Sequence, residues 1–137
     1  LERMFKESDF ITIHCPYNSN TKGMITKELI FSMKPTAYLI NCARGGVIDE
    51  KALIDALREK RIAGAGIDVY SQEPPEMDNE LFKMENVLLS PHSAGMTKEA
   101  TARMAIGAAK AVIDFIEGKM PENIFNLVDL KNKGFFN

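Results

Sequence analysis

Three side chains suited to acid–base and anion-binding chemistry each follow an apolar run in this chain. Arg44 comes after Ala37-Tyr38-Leu39-Ile40 and directly before Gly45-Gly46. Glu73 comes after Gly66-Ile67-Asp68-Val69-Tyr70, and His92 after Val87-Leu88-Leu89-Ser90-Pro91. A guanidinium is permanently charged and forked, so it can hold an anionic group and polarise an oxygen on which negative charge develops. An imidazole has an unperturbed pKa of about 6.5, close to working pH. A carboxylate paired with it favours the imidazolium and fixes its orientation. A cation, a carboxylate and an imidazole closing three successive apolar runs form a catalytic layout.

Each of these residues also has a plainer interpretation. Arg44 could be a surface cation at a strand end, but its Gly45-Gly46 neighbours permit close approach of a ligand. Glu73 precedes Pro74, which demands an extended backbone, and it could be a solvated loop residue. Glu76 is a nearby competitor. His92 lies between Pro91 and the small-residue stretch Ser93-Ala94-Gly95, which favours a site. His14 also ends an apolar run and is read as structural. Asp68 could satisfy a backbone turn, a common use of Asp after a strand. Cys42 could be a small core residue.

These groups need elements to position them. Phe10 to Ile13 is predicted as a strand, closed by His14-Cys15-Pro16, with Asn18-Ser19-Asn20 as a turn. Thr26 to Met33 is predicted as a short helix capped by Thr26, and Pro35 prevents its continuation. Ala37 to Asn41 is the second strand. Asp49 caps the next helix, with Leu53, Ile54, Ala56 and Leu57 turned inward. Ala63 to Tyr70 is the third strand, Gln72 to Asp78 a proline-containing loop and Asn86 to Ser90 the fourth strand. Thr97 caps the longest helix, whose apolar residues from Ala102 to Ile116 recur at three- and four-residue steps, and Gly118 ends it. Asn123 to Asn137 reads as irregular. Strands alternating with helices give an α/β fold with a parallel sheet, and crossovers of one hand put all strand ends on one edge. That edge is where ligands bind in open sheets. It collects Cys15, Arg44, Asp68, Glu73 and His92.

Ile40 to Glu50, Ala63 to Pro75 and Ser90 to Thr97 resemble the three signature segments of the NAD-dependent D-2-hydroxyacid dehydrogenases, the phosphoglycerate dehydrogenase branch above all. The resemblance runs from about Glu7 to Asn126. It implies a partial Rossmann-like parallel sheet flanked by helices, and interconversion of a D-2-hydroxy acid and a 2-keto acid. In that chemistry Arg44 binds the substrate carboxylate, and His92, paired with Glu73, donates the proton to the keto oxygen. The resemblance further implies that Cys15, Cys42, Ala43 and Arg44 line the nicotinamide and its ribose. Asp68 would accept a bond from the carboxamide, and His92 and Gly95 would close the far side. NAD rather than NADP follows from the family branch alone.

A dinucleotide site carries G-x-G-x-x-G in its first strand-to-helix turn. Gly64-Ala65-Gly66 begins that pattern, but Val69 stands at the third glycine position. Residues 1–126 are therefore expected to be the second half of an NAD-binding domain of a longer protein, inactive alone, with 127–137 a tail. The pyrophosphate and adenine contacts would lie in the other half. An NAD(H)-sensing protein similar to the family's corepressor relatives is an alternative that keeps the same three residues.

The 137 residues support one domain, with 45% apolar and 26% charged residues. A net charge of −2 gives no reason to expect nucleic acid or an anionic membrane as a partner. No apolar run approaches the roughly 18 residues of a membrane span. No metal site is expected. Two cysteines, each after a predicted strand, read as reduced thiols in the cytoplasm, with a disulfide between adjacent strand ends as the alternative. A half-domain would leave an open strand edge and bare apolar faces, which predicts a homodimer or larger assembly.

Overall fold

The structure is a computed structural model that describes residues 1–135, in two units, Leu1–Ala94 and Gly95–Asn137. In the first unit four strands lie in the order β1 (Phe10–Ile13), β2 (Tyr38–Asn41), β3 (Gly64–Ile67) and β4 (Val87–Leu89). Every neighbouring pair is parallel, so each connection crosses over the sheet. Two of these connections carry helices, α2 (Lys27–Phe31) and α3 (Glu50–Arg58), and α1 (Glu2–Glu7) precedes β1. The register pairs Ile13 with Asn41, Asn41 with Ile67 and Ile67 with Leu89. The four carboxyl ends are therefore level, and whatever follows them emerges along one edge.

Alternation along the strands separates the two faces of the sheet. Ile11, Ile13, Leu39, Ala65 and Ile67 are buried against Phe5, Ile30, Leu53, Ala56 and Leu57. α3 forms where predicted: the Asp49 carboxylate accepts the Ala52 amide at 3.0 Å, and Ala52, Leu53, Ala56 and Leu57 face the core. On the other face Phe10, stacked on Tyr38, and Leu88 are exposed. Parallel sheets are ordinarily covered on both faces; within this unit only one face is.

Some elements differ from expectation. The predicted helix from Thr26 contracts to Lys27–Phe31, and the Thr26 side chain makes no capping bond. Ser32 closes the helix instead, its hydroxyl donating to Leu29 O at 2.8 Å. β3 ends at Ile67 rather than Tyr70, because Asp68 turns its side chain to the loop after β4. α1, unforeseen, is fastened by fully buried Phe5.

In the second unit Thr97 caps α4 (Lys98–Ile116), accepting the Ala100 amide at 3.1 Å. Gly118 ends it with φ +73°, a left-handed conformation that favours glycine. Within that unit α4 buries none of its residues. The tail is not wholly irregular: Leu127–Asn132 form α5, and Gly134 at φ +82° follows it. Six residues without a side-chain cap are too few to give a periodic signal. Phe136 and Asn137, the end of the expected tail, lie outside the described residues.

Candidate active site

The edge after β2 is shaped by Asn41, which is 2% exposed. Its Oδ1 accepts the Ala43 amide at 3.0 Å and its Nδ2 donates to Arg44 O at 3.1 Å. This brace turns the chain so that the Arg44 side chain is exposed, with one guanidinium nitrogen donating to Ala43 O at 2.7 Å. Gly45 follows at a point where no side chain fits. A Cβ there would lie 1.9 Å from the Tyr70 carbonyl oxygen. The Arg44 turn thus packs backbone to backbone on the loop after β3.

That loop carries Glu73, whose Oε1 accepts the Tyr70 amide at 3.0 Å and whose Oε2 lies 2.8 Å from Nδ1 of His92. The Glu73–Pro74 peptide is cis. The Tyr70 amide, then the bond to His92, hold the Glu73 carboxyl below the usual glutamate range, and the nearby charge of Arg44 acts in the same direction. Glu76, the sequence competitor, is bound by the Gln72 side chain at 3.0 Å.

His92 adopts φ +54°, uncommon for a residue with a Cβ and more tolerated by His than by most. Asp68 holds the turn in that shape. It is 4% exposed; its Oδ1 accepts the Ser90 hydroxyl at 2.5 Å and the Ser93 amide at 2.8 Å, and its Oδ2 accepts the Ala94 amide at 3.0 Å. Burial works against the charge of Asp68, but these donors outweigh it and keep the carboxyl below the usual aspartate range. Beside the pair opens a cavity of about 610 Å³, walled by Tyr70, Pro74, Phe82, Leu89 and Pro91. Burial, and then the negative charges of Asp68, Glu50 and Glu73, push the Tyr70 phenol up.

A carboxylate on Nδ1 places that nitrogen's proton and leaves Nε2 to exchange a proton with a ligand. Of the residues singled out in the sequence, the structure thus joins Glu73 to His92 and sets the Arg44 turn against their loop. Cys15 and Cys42 are free, half-buried thiols at the ends of β1 and β2, where the Cys42 amide donates to Ile13 O at 3.2 Å. Ala43, next to Cys42 in the chain, is buried. Gly95 begins the second unit. His14, just past β1, is engaged by Thr12 of that strand, at 2.7 Å. Asn41 and Glu50 also shape this edge and were not anticipated from the sequence. An Asn closing an apolar run was the only signal for the first, and Glu50 gave none beyond its place after the capping Asp49.

The strand ends fit a dinucleotide's nicotinamide end. Cys15, Cys42 and Ala43 are small, so a flat ring can approach the backbone, and Asp68 Oδ2 takes a single bond, which leaves a lone pair for an amide donor. Among the described residues no group of three or more His, Cys, Asp or Glu could hold a metal ion, and no helix is long and apolar enough to cross a membrane.

A parallel α/β sheet with an acid–base pair and a cation at its carboxyl edge defines a nucleotide-binding type of domain. Residues 1–94 match the family model described as D-isomer specific 2-hydroxyacid dehydrogenase, NAD binding domain. The chain belongs to that family. It is 45% identical to a glyoxylate reductase of Korarchaeum cryptofilum over 137 residues, 98% of this chain and 41% of the relative. It is 39% identical to a D-3-phosphoglycerate dehydrogenase of Methanocaldococcus jannaschii over 130 residues, 95% of this chain and 25% of the relative. Among solved structures, the NAD-complexed D-isomer specific 2-hydroxyacid dehydrogenase of Lactobacillus delbrueckii ssp. bulgaricus superposes with a TM-score of 0.82 at 35% identity, covering 90% of this chain and 42% of that one. The chain thus spans less than half the length of these relatives.

Proposed function

We propose that this chain is the acid–base half of an NAD-dependent D-2-hydroxyacid dehydrogenase that interconverts a small D-2-hydroxy acid and its 2-keto acid. The observation that carries this is the 2.8 Å contact between Glu73 and Nδ1 of His92, on the edge that also presents Arg44. Bound NADH would supply the hydride. His92 Nε2 gives a proton to the keto oxygen, Glu73 keeps the imidazole aimed, and Arg44 holds the substrate carboxylate. Cys15, Cys42, Ala43 and His92 would hold the nicotinamide and its ribose, and Asp68 would accept a bond from the carboxamide.

Residues 1–126 are the second half of the NAD-binding domain and 127–137 a tail that includes α5. Glyoxylate and hydroxypyruvate-like acids are the substrates to try first, given the names of the relatives. The protein acts as a homo-oligomer in the cytoplasm.

The test is a chimera in which this chain replaces the matching segment of the Korarchaeum cryptofilum glyoxylate reductase. It is expected to oxidise NADH with a 2-keto acid. His92→Ala should cut turnover by about 10²-fold or more while NADH binding persists. A His92→Ala chimera as active as its parent would remove His92 from the chemistry.

A further inference from the structure

The loop that carries Glu73 makes bonds of its own, from the Tyr70 amide to Glu73 and from Gln72 to Glu76, but it is also held from outside. From Tyr70 to Asp78 it leaves the sheet, and most of its residues are exposed. Beside the Tyr70 hydroxyl, which donates to Ser90 O at 3.3 Å, the outside grip is Glu50, the first residue of α3. Glu50 Oε2 accepts the Ser71 amide at 2.8 Å, and its Oε1 accepts the Ser71 hydroxyl at 3.0 Å and the Asn79 side-chain amide at 3.4 Å. Ser71 is the neighbour of Tyr70, whose amide binds Glu73. One carboxylate therefore fixes the Tyr70–Ser71 peptide, the next along the chain from the Val69–Tyr70 peptide whose N–H holds the partner of His92.

Glu50 is also six residues beyond Arg44 on the same turn and helix start. The Gly45 backbone seats against Tyr70 and Ser71, where a Cβ would come 2.4 Å from the Ser71 nitrogen. The turn that presents the cation and the loop that presents the carboxylate are thus joined twice, by a steric seat at Gly45 and by hydrogen bonds at Glu50.

We infer that Glu50 is a positioning residue for the acid–base pair: it sets the Tyr70–Glu73 loop so that Glu73 meets His92, and ties that pair to the Arg44 turn. The inference rests on the proposed acid–base role of Glu73 and His92. Charged acceptors make shorter and stronger hydrogen bonds than neutral ones, so a carboxylate suits the task and a Gln should do it only in part.

The experiment follows the Glu73 side-chain carboxyl and the His92 ring by NMR in this chain, which has only two histidines. Wild type, Glu50→Ala, Glu50→Gln and Glu73→Gln are compared, each shown to be folded by its thermal transition. Glu50→Ala should raise the Glu73 titration midpoint toward the ordinary glutamate value, since the Tyr70 amide and His92 no longer meet it squarely. Glu50→Gln should fall between Glu50→Ala and wild type. Glu73→Gln should shift the His92 ring nitrogens. A Glu73 midpoint unchanged in Glu50→Ala, with the His92 ring still responding to Glu73→Gln, overturns the role of Glu50 and leaves the pair standing. A His92 ring indifferent to Glu73→Gln overturns the pair, and the positioning role with it. Should Glu50→Ala not fold, the double variant Ser71→Ala, Asn79→Ala removes two of the three donors and keeps Glu50. It should raise the midpoint by less, and an unchanged midpoint there overturns the inference as well.

Discussion

Two loops meet at the acid–base pair, and one device holds both at different depths. The turn bearing His92 hangs from Asp68, and the loop bearing Glu73 hangs from Glu50. Each carboxylate accepts three hydrogen bonds, from a mixture of amides and side chains. Asp68 is 4% exposed, whereas Glu50 is only half-buried. A hydrogen bond out of water is stronger, and the groups it leaves behind are costlier to strand. Burial should therefore make Asp68 a determinant of stability and Glu50 chiefly a determinant of aim.

Breaking the deeper anchor is the harshest test of that difference. Asp68→Ala strands the Ser93 and Ala94 amides and the Ser90 hydroxyl, and frees a turn whose His92 sits at positive φ. A loss of about 3 kcal/mol is expected from bonds to a charged acceptor at a buried site, read by urea denaturation. Equal losses for Asp68→Ala and Glu50→Ala would show that depth does not separate the two anchors.

A smaller effect is expected where the two loops are joined by shape alone. Gly45→Ala drives a methyl into the Tyr70 carbonyl and should cost about 2 kcal/mol, since backbone must shift to admit it. Gly66→Ala is the matched control. Its Cβ would meet the Ile40 side chain at 3.5 Å, an ordinary contact, so the change should stay near 0.5 kcal/mol. If both variants unfold at the same urea concentration, the Gly45 seat is not a constraint.

The difference between the loops also marks how far the sequence could be read. Arg44, Glu73 and His92 were legible as groups sharing one edge, because apolar runs announce strands and the residues after them must emerge together. The parallel pairing of the strands and the capping of α3 and α4 by Asp49 and Thr97 followed from the same local rules. Asn41 and Glu50 were not legible in that way. Asn41 braces the backbone two and three residues on, Glu50 grips residues more than twenty positions away, and neither leaves a periodic trace. Asp68 was read two ways, and the structure adds its three bonds to the His92 turn. α5 escaped because six residues hold less than two full turns of pattern.

Acidification should sharpen the same comparison with the gentlest effect. Asp68 and Glu73 both have folded-state pKa values below the ordinary ones, which are about 3.9 for Asp and 4.3 for Glu. Between the folded and the ordinary values the unfolded chain binds more protons than the folded one. Stability therefore rises with pH across that window, is fully present above it, and is lost as pH falls through the folded values. Asp68→Asn should flatten the acid limb of a stability-against-pH curve. Glu73→Gln should flatten it less, because the Glu73 side chain is 37% exposed and its charge is screened by water. An acid limb equally steep in wild type and Asp68→Asn would mean that the buried carboxylate's bonds to Ser90, Ser93 and Ala94 do not favour its charged form.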